Sequence, residues 1–186
     1  MTPSRIIFLA LVILASPFVI PTMADESPAL AQLVTRERVA LNLAGAEVIL
    51  KAALHKATTE GFKMNIAIVD EGGHLIAFAR MDGARPASVN TALTKAVAAA
   101  TLRQATGPLP PTGEPDILLN LSLQNAAAAS GGKITTLKGG VPIVVEDQII
   151  GAVGVGGGSG EQDAEVAKAG IKALIDALAS GDSHAK

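Results

Sequence analysis

Hydrophobic and polar positions along this chain follow two periods, and the period changes where the predicted elements change. Over residues 35–60 the apolar positions recur by threes and fours, and Val39, Leu43, Ala46, Leu50, Ala53 and Ala57 make one helical stripe. A second stripe of Leu41, Ala44, Val48 and Ala52 runs nearly opposite at about 100° per residue, and His55 falls on it. A helix apolar on two faces must bury both. The first face is expected on a sheet, the second against another subunit or along a ligand. Gly61 supplies the stop.

From residue 64 the period shortens to that of a strand. Residues 65–69 and 74–79 read as two strands around Asp70-Glu71-Gly72-Gly73, a turn whose glycines reach the positive φ of tight hairpins. This hairpin gathers Asp70, His74, Arg80 and Asp82. A helix is predicted over 87–105, with Ser88 as N-cap and Lys95 inside its apolar run. The proline-rich stretch 107–115 is a loop, and Asp116 caps a short helix over 117–128. Strands are predicted at 133–137, 141–145 and 148–155, turning at Lys138-Gly139-Gly140 and at Glu146-Asp147. After a glycine loop over 156–160, a last helix covers 161–179, with Asp163 and Glu165 placed to suit its dipole. The order α-β-β-α-(α)-β-β-β-α predicts an α+β fold. Its antiparallel sheet has about five strands flanked by helices, in profilin- or PAS-like layering.

Composition changes the picture at the N-terminus first. Arg5 precedes an apolar core over residues 6–20, and Thr22-Met23-Ala24 offers small residues where a signal peptidase reads. That core is shorter than the roughly 20 residues of a bilayer span. The expectation is a signal peptide over 1–24 cleaved after Ala24, and a periplasmic or secreted protein, with an uncleaved anchor as the alternative. A flexible lead over 25–34, one domain over 35–180 and a tail over 181–186 follow. The absence of cysteine excludes disulfides, thiolate metal sites and cysteine nucleophiles. A net charge of −2 and 2% aromatic residues argue against nucleic-acid binding.

The pieces together resemble the GlcG/HbpS family, which also includes the C-terminal domain of PduO-type proteins. The resemblance rests on Ile68-Val69-Asp70-Glu71-Gly72-Gly73-His74-Leu75, on Ala79-Arg80-Met81-Asp82-Gly83-Ala84 and on Lys95-Ala96. It continues through Lys138-Gly139-Gly140-Val141-Pro142-Ile143, Gly151-Ala152-Val153-Gly154-Val155 and Asp163, and covers residues 41–178. It implies an antiparallel sheet flanked by helices, assembly into a homo-oligomer, haem as cofactor and, for exported relatives, a membrane sensor kinase as partner. The chain departs from the common pattern after Val155. There Gly156-Gly157-Gly158 replaces a serine before a glycine pair, so no role of that hydroxyl carries over.

Under this resemblance His55 is the first candidate for an axial iron ligand, since neutral imidazole suits haem iron and small neighbours leave room for a flat macrocycle. A half-exposed surface histidine is the plain alternative. His74 is a second haem candidate, or simply a partner of the Asp70 turn. Arg80, Arg85 and Lys95 could meet haem propionates or another carboxylate. Alternatively, Arg80 pairs internally with Asp70 or Asp82. No nucleophile, base and orienting group stand together in the sequence. The expected function is therefore haem sequestration or sensing by an exported, non-enzymatic protein. The rival is a small hydrolase or isomerase of a carboxylated metabolite, with Asp70 or Asp82 as base and Arg80 or Lys95 as clamp.

Overall fold

The computed structural model describes residues 38–182. The predicted signal peptide, the lead, the first residues of the expected opening helix and the end of the tail, including His184, lie outside the described residues.

Helix α1 (Leu43–Thr59) starts later than the hydrophobic period predicts, because Asn42 caps it. The Asn42 backbone is extended, and its side chain accepts from Gly45 N at 2.9 Å, satisfying one of the free amides of the first turn. The face that is buried is Ala46, Ile49, Ala53 and Ala57; Leu43, placed on that stripe by sequence, stays exposed. Strands β1 (Asn65–Asp70) and β2 (Leu75–Arg80) form the expected hairpin. Asp70 Oδ1 accepts from Gly72 N at 2.9 Å and from His74 N at 2.8 Å, while Gly73 takes a φ of 84°.

Helix α2 (Ser88–Thr101) is capped by Ala87 without a side-chain bond, so Ser88 is its first residue and not its cap. It ends before the predicted residue 105, since Arg103 adopts a left-handed φ of 56°. Helix α3 (Ile117–Ala129) has the predicted Asp116 cap, bonded to Leu119 N at 2.9 Å. Strands β3 (Gly140–Val145) and β4 (Gln148–Gly156) join through Glu146 and Asp147, whose φ values of 50° and 58° match a two-residue hairpin turn of the type that follows strand twist. Helix α4 (Gly160–Asp182) closes the fold.

The sheet has four strands in the order β2-β1-β4-β3, all antiparallel. The fifth strand expected at 133–137 is not formed. That segment is irregular: the Leu137 carbonyl accepts from Thr106 Oγ1 at 2.7 Å and its amide donates to Thr135 Oγ1 at 3.1 Å, so no ladder is built. Its β-branched residues supply strand propensity without a strand to pair with.

Successive residues of the central strands serve two different cores. Ile66, Ile68, Val153 and Val155 point toward α1 and α4, meeting Ile49, Val166 and Leu174. Each such branched side chain, fully buried, contributes about 1.5–3 kcal/mol. Ala67, Val69 and Ala152 point the other way, toward Ala92, Ala96 and Ala99 of α2. Small residues let α2 lie almost on the backbone of β4. A methyl added at Gly154 would run into the Ala92 carbonyl and the Ala96 amide. Helix α3 differs from the rest: none of its residues is buried, and Ile117, Leu118, Leu119 and Leu121 are exposed. Among the described residues, no helix is long and apolar enough to cross a membrane.

Candidate functional site

A lysine on an alanine-lined helix face is an exposed charge or a charge with a dedicated partner. Lys95 sits one residue before Ala96 on the buried side of α2 and is only 4% exposed. Its ammonium donates to Asp163 Oδ2 at 2.6 Å and to the Val155 carbonyl at 2.9 Å. Asp163, 2% exposed, is held from its other side by Gly158 N, which donates to Oδ1 at 2.9 Å. Two of the three ammonium protons thus have protein partners, and the acid lies in the first turn of α4, where the dipole also favours it.

The Lys138-Gly139-Gly140 turn owes its glycines to this pair. A side chain at Gly139 would stand 2.6 Å from Asp163 Cβ and 2.9 Å from Lys95 Nζ, and Gly139 has a φ of 124°. At Gly140 a methyl would meet the Lys95 carbonyl. Gly140 N instead donates to Thr106 Oγ1 at 2.8 Å. Motif residues scattered over the sequence therefore converge on one buried ion pair.

Beside the pair opens a cavity of about 600 Å³. Ser88, Thr91 and Lys95 lie along its α2 wall, and Arg85, Lys138 and Glu161 also line it. Lys138 donates to Glu161 at 3.2 Å. Glu161 is held below the ordinary carboxylate range, first by its own backbone N–H and then by Lys138. Arg85 Nε donates to Ser88 Oγ at 3.1 Å. The fully buried Asn65 donates to the Arg85 carbonyl at 3.2 Å and leaves its own Oδ1 without a partner, an arrangement that costs about 1–3 kcal/mol. Among the described residues, no three His, Cys, Asp or Glu side chains come together as a metal site.

The other candidates stand elsewhere. His55 is exposed on the outer side of α1, together with Ala44 and Val48 and next to the half-buried Ala52. Its helix covers one face of the sheet, and the helix of Lys95 covers the other, so the two are not neighbours. His74 is 83% exposed; its Nδ1 lies 3.1 Å from Asp70 Oδ2. Burial pushes the Asp70 carboxyl up, but the backbone N–H and imidazole of His74 and the Gly72 amide outweigh it and hold the group below the usual range. Arg80 is exposed at the end of β2 and has no carboxylate partner among the described residues, so the internal pair with Asp70 or Asp82 is not formed. Of the five binding candidates expected from sequence, Arg85 and Lys95 line the cavity, while His55, His74 and Arg80 do not. Asp163 and Ser88, read from sequence as helix-end residues, are the ones that join them.

A four-stranded antiparallel sheet between two helical layers, with a buried Lys–Asp pair at the start of the last helix, defines a small α+β domain. By sequence, residues 41–172 match the family described as haem-degrading protein HbpS-like, and this chain belongs to that family. Protein GlcG of Escherichia coli K12 is 38% identical over 120 residues, which are 64% of this chain and 84% of GlcG. The corrinoid adenosyltransferase PduO of Citrobacter freundii is 30% identical over 126 residues, only 36% of its length. Among solved structures, Klebsiella pneumoniae protein ORFY has a TM-score of 0.65 at 28% identity, over 76% of this chain and 96% of that one. A double mutant of Streptomyces reticuli HbpS gives 0.62 at 27%, over 75% and 90%. The PduOC complex with haem gives 0.59 at 26%, over 73% and 95%.

Proposed function

We propose that this protein binds haem, and that it does so as an exported homo-oligomer in haem sequestration or sensing. The observation that carries the reading is the likeness to the PduOC chain solved with haem, which extends over 95% of that chain. The residues of α1 suit such a ligand. His55 presents an imidazole to solvent, and the small or apolar Ala44, Val48 and Ala52 beside it make a low ledge on which a flat macrocycle can lie. One chain offers this ledge from one side only, and a second copy laid over the same face would close it. His55 is then the iron ligand, with Arg80 available to a propionate. Export is supported by the N-terminal sequence; a membrane sensor kinase is the kind of partner an exported haem sensor requires.

Hemin titrated into the purified protein tests the reading. The expected result is a saturable Soret shift that weakens in His55→Ala and persists in His74→Ala. An absorption spectrum of hemin unaltered by the protein overturns it.

A catabolic enzyme that uses Asp70 as base is not supported by the geometry, because that carboxylate already accepts from Gly72 N and His74 N in its own turn.

A further inference from the structure

The cavity on the α2 side holds more cationic capacity than the fold consumes. Lys95 is balanced by Asp163 and Lys138 by Glu161, which leaves Arg85 as the unbalanced charge on the cavity wall. Only its Nε is engaged, with Ser88; the terminal guanidinium nitrogens, the face that reads a carboxylate bidentately, have no partner among the described residues. The backbone of Arg85 is pinned by Asn65, a side chain with no access to solvent. At the other end of the wall, Lys95 is nine-tenths buried and has a third N–H beyond the two bonded to Asp163 and Val155. Ser88, Thr91 and Lys95 recur at three and four residues, so these polar groups share one side of α2 over about two turns.

We infer that this cavity is a binding site for a small monocarboxylate carrying a second oxygen function, distinct from the haem ledge of α1. Arg85 takes the carboxylate. The spare proton of Lys95 and the hydroxyl wall of Ser88 and Thr91 meet the hydroxyl or carbonyl oxygen. One surplus positive charge matches a monoanion, whereas a phosphate dianion would leave an uncompensated negative charge in a half-enclosed space. The first turn of α4 is not the anion contact. Gly158 N is bonded to Asp163, and Ser159 N to Gln162. The inference does not depend on haem, since the two ligands lie against helices on opposite faces of the sheet.

Isothermal titration of the purified, haem-free chain tests it with lactate and 3-hydroxybutyrate, with lactamide as the neutral isostere and with inorganic phosphate. At least one hydroxy acid is expected to bind saturably, lactamide not to bind, and Arg85→Gln to weaken the acid tenfold or more. Arg85 is exposed, so this variant keeps its fold, and Arg85→Lys should recover part of the loss. Any of three results overturns the proposal: no binding of either acid at millimolar concentration, equal binding of lactamide, or a preference for phosphate. Hemin binding by Arg85→Gln, measured alongside, is expected to be unchanged.

Discussion

Lys95 Nζ and Asp163 Oδ2 lie 2.6 Å apart although 68 residues separate them, and their contact joins α2, which serves one core, to the start of α4, which serves the other. Both side chains are almost fully buried. Taking one member away leaves the other charge without its counterpart in a site almost closed to solvent. Asp163→Asn or Lys95→Met is therefore expected to lower unfolding free energy by about 3–5 kcal/mol in urea titrations. The double variant Lys95→Met with Asp163→Leu should lose clearly less than the sum of the singles, because no isolated charge remains. Strict additivity would mean that the two residues act independently.

Three glycines in different settings, one in β4 and two in turns or loops, make a second expectation. At Gly154 an added methyl meets backbone atoms of α2 that cannot move without displacing the helix. Gly154→Ala should cost about 3 kcal/mol or more, the upper end of overpacking. Gly61→Ala meets nothing within 4 Å but must adopt a φ of 73°, so a loss of about 1–2 kcal/mol is expected. Gly107→Ala, with open space and no left-handed φ, should stay within about 0.5 kcal/mol of the parent. Thermal unfolding of the three variants checks the ranking.

Much of this fold was legible because its signals are local. The Asp70–Gly73 turn, the Glu146-Asp147 hairpin and the Asp116 cap are written in residues within four positions of one another, and each formed where expected. What failed was information that lives in tertiary partners. Ile134, Thr135 and Thr136 carry strand propensity, yet no neighbouring edge receives them. Leu43 has the helical period, but Ile49 is the residue that reaches the core. The ion pair was half visible, since Lys95 interrupts an apolar run and so requires an acid. Which acid was not visible, because Asp163 has an adequate local explanation at a helix start. Family resemblance brought both residues into view without showing that they touch.

The Asp70 turn gives a pH dependence whose sign follows from its environment. Its carboxyl is held below its ordinary value near 3.8, despite burial, by bonds from His74 and Gly72. A depressed folded value contributes stability that is complete above the unfolded value and is lost as pH falls through the folded one. Asp70→Asn should thus be less stable than the parent at neutral pH, and the difference should shrink as pH drops below 3.8. Paired urea titrations across that range check it. A difference that stays constant with pH would assign the effect to the turn's shape and not to its charge.

Assembly supplies the last test, since among the described residues two helices present exposed apolar side chains on their outer sides. One is α1, with Ala44 and Val48; the other is α3, where Leu118 is 75% exposed. If copies meet over α1 and close the haem ledge there, a carboxylate introduced at Val48 faces its own symmetry mate and must be desolvated beside apolar atoms. Val48→Glu is then expected to reduce the mass measured by light scattering and to weaken hemin binding together, while Leu118→Glu leaves both near the parent values. Loss of assembly in Leu118→Glu alone would move the contact to α3. Loss of assembly in Val48→Glu with hemin binding intact would separate the interface from the ligand, and His55 would then hold haem on an open surface.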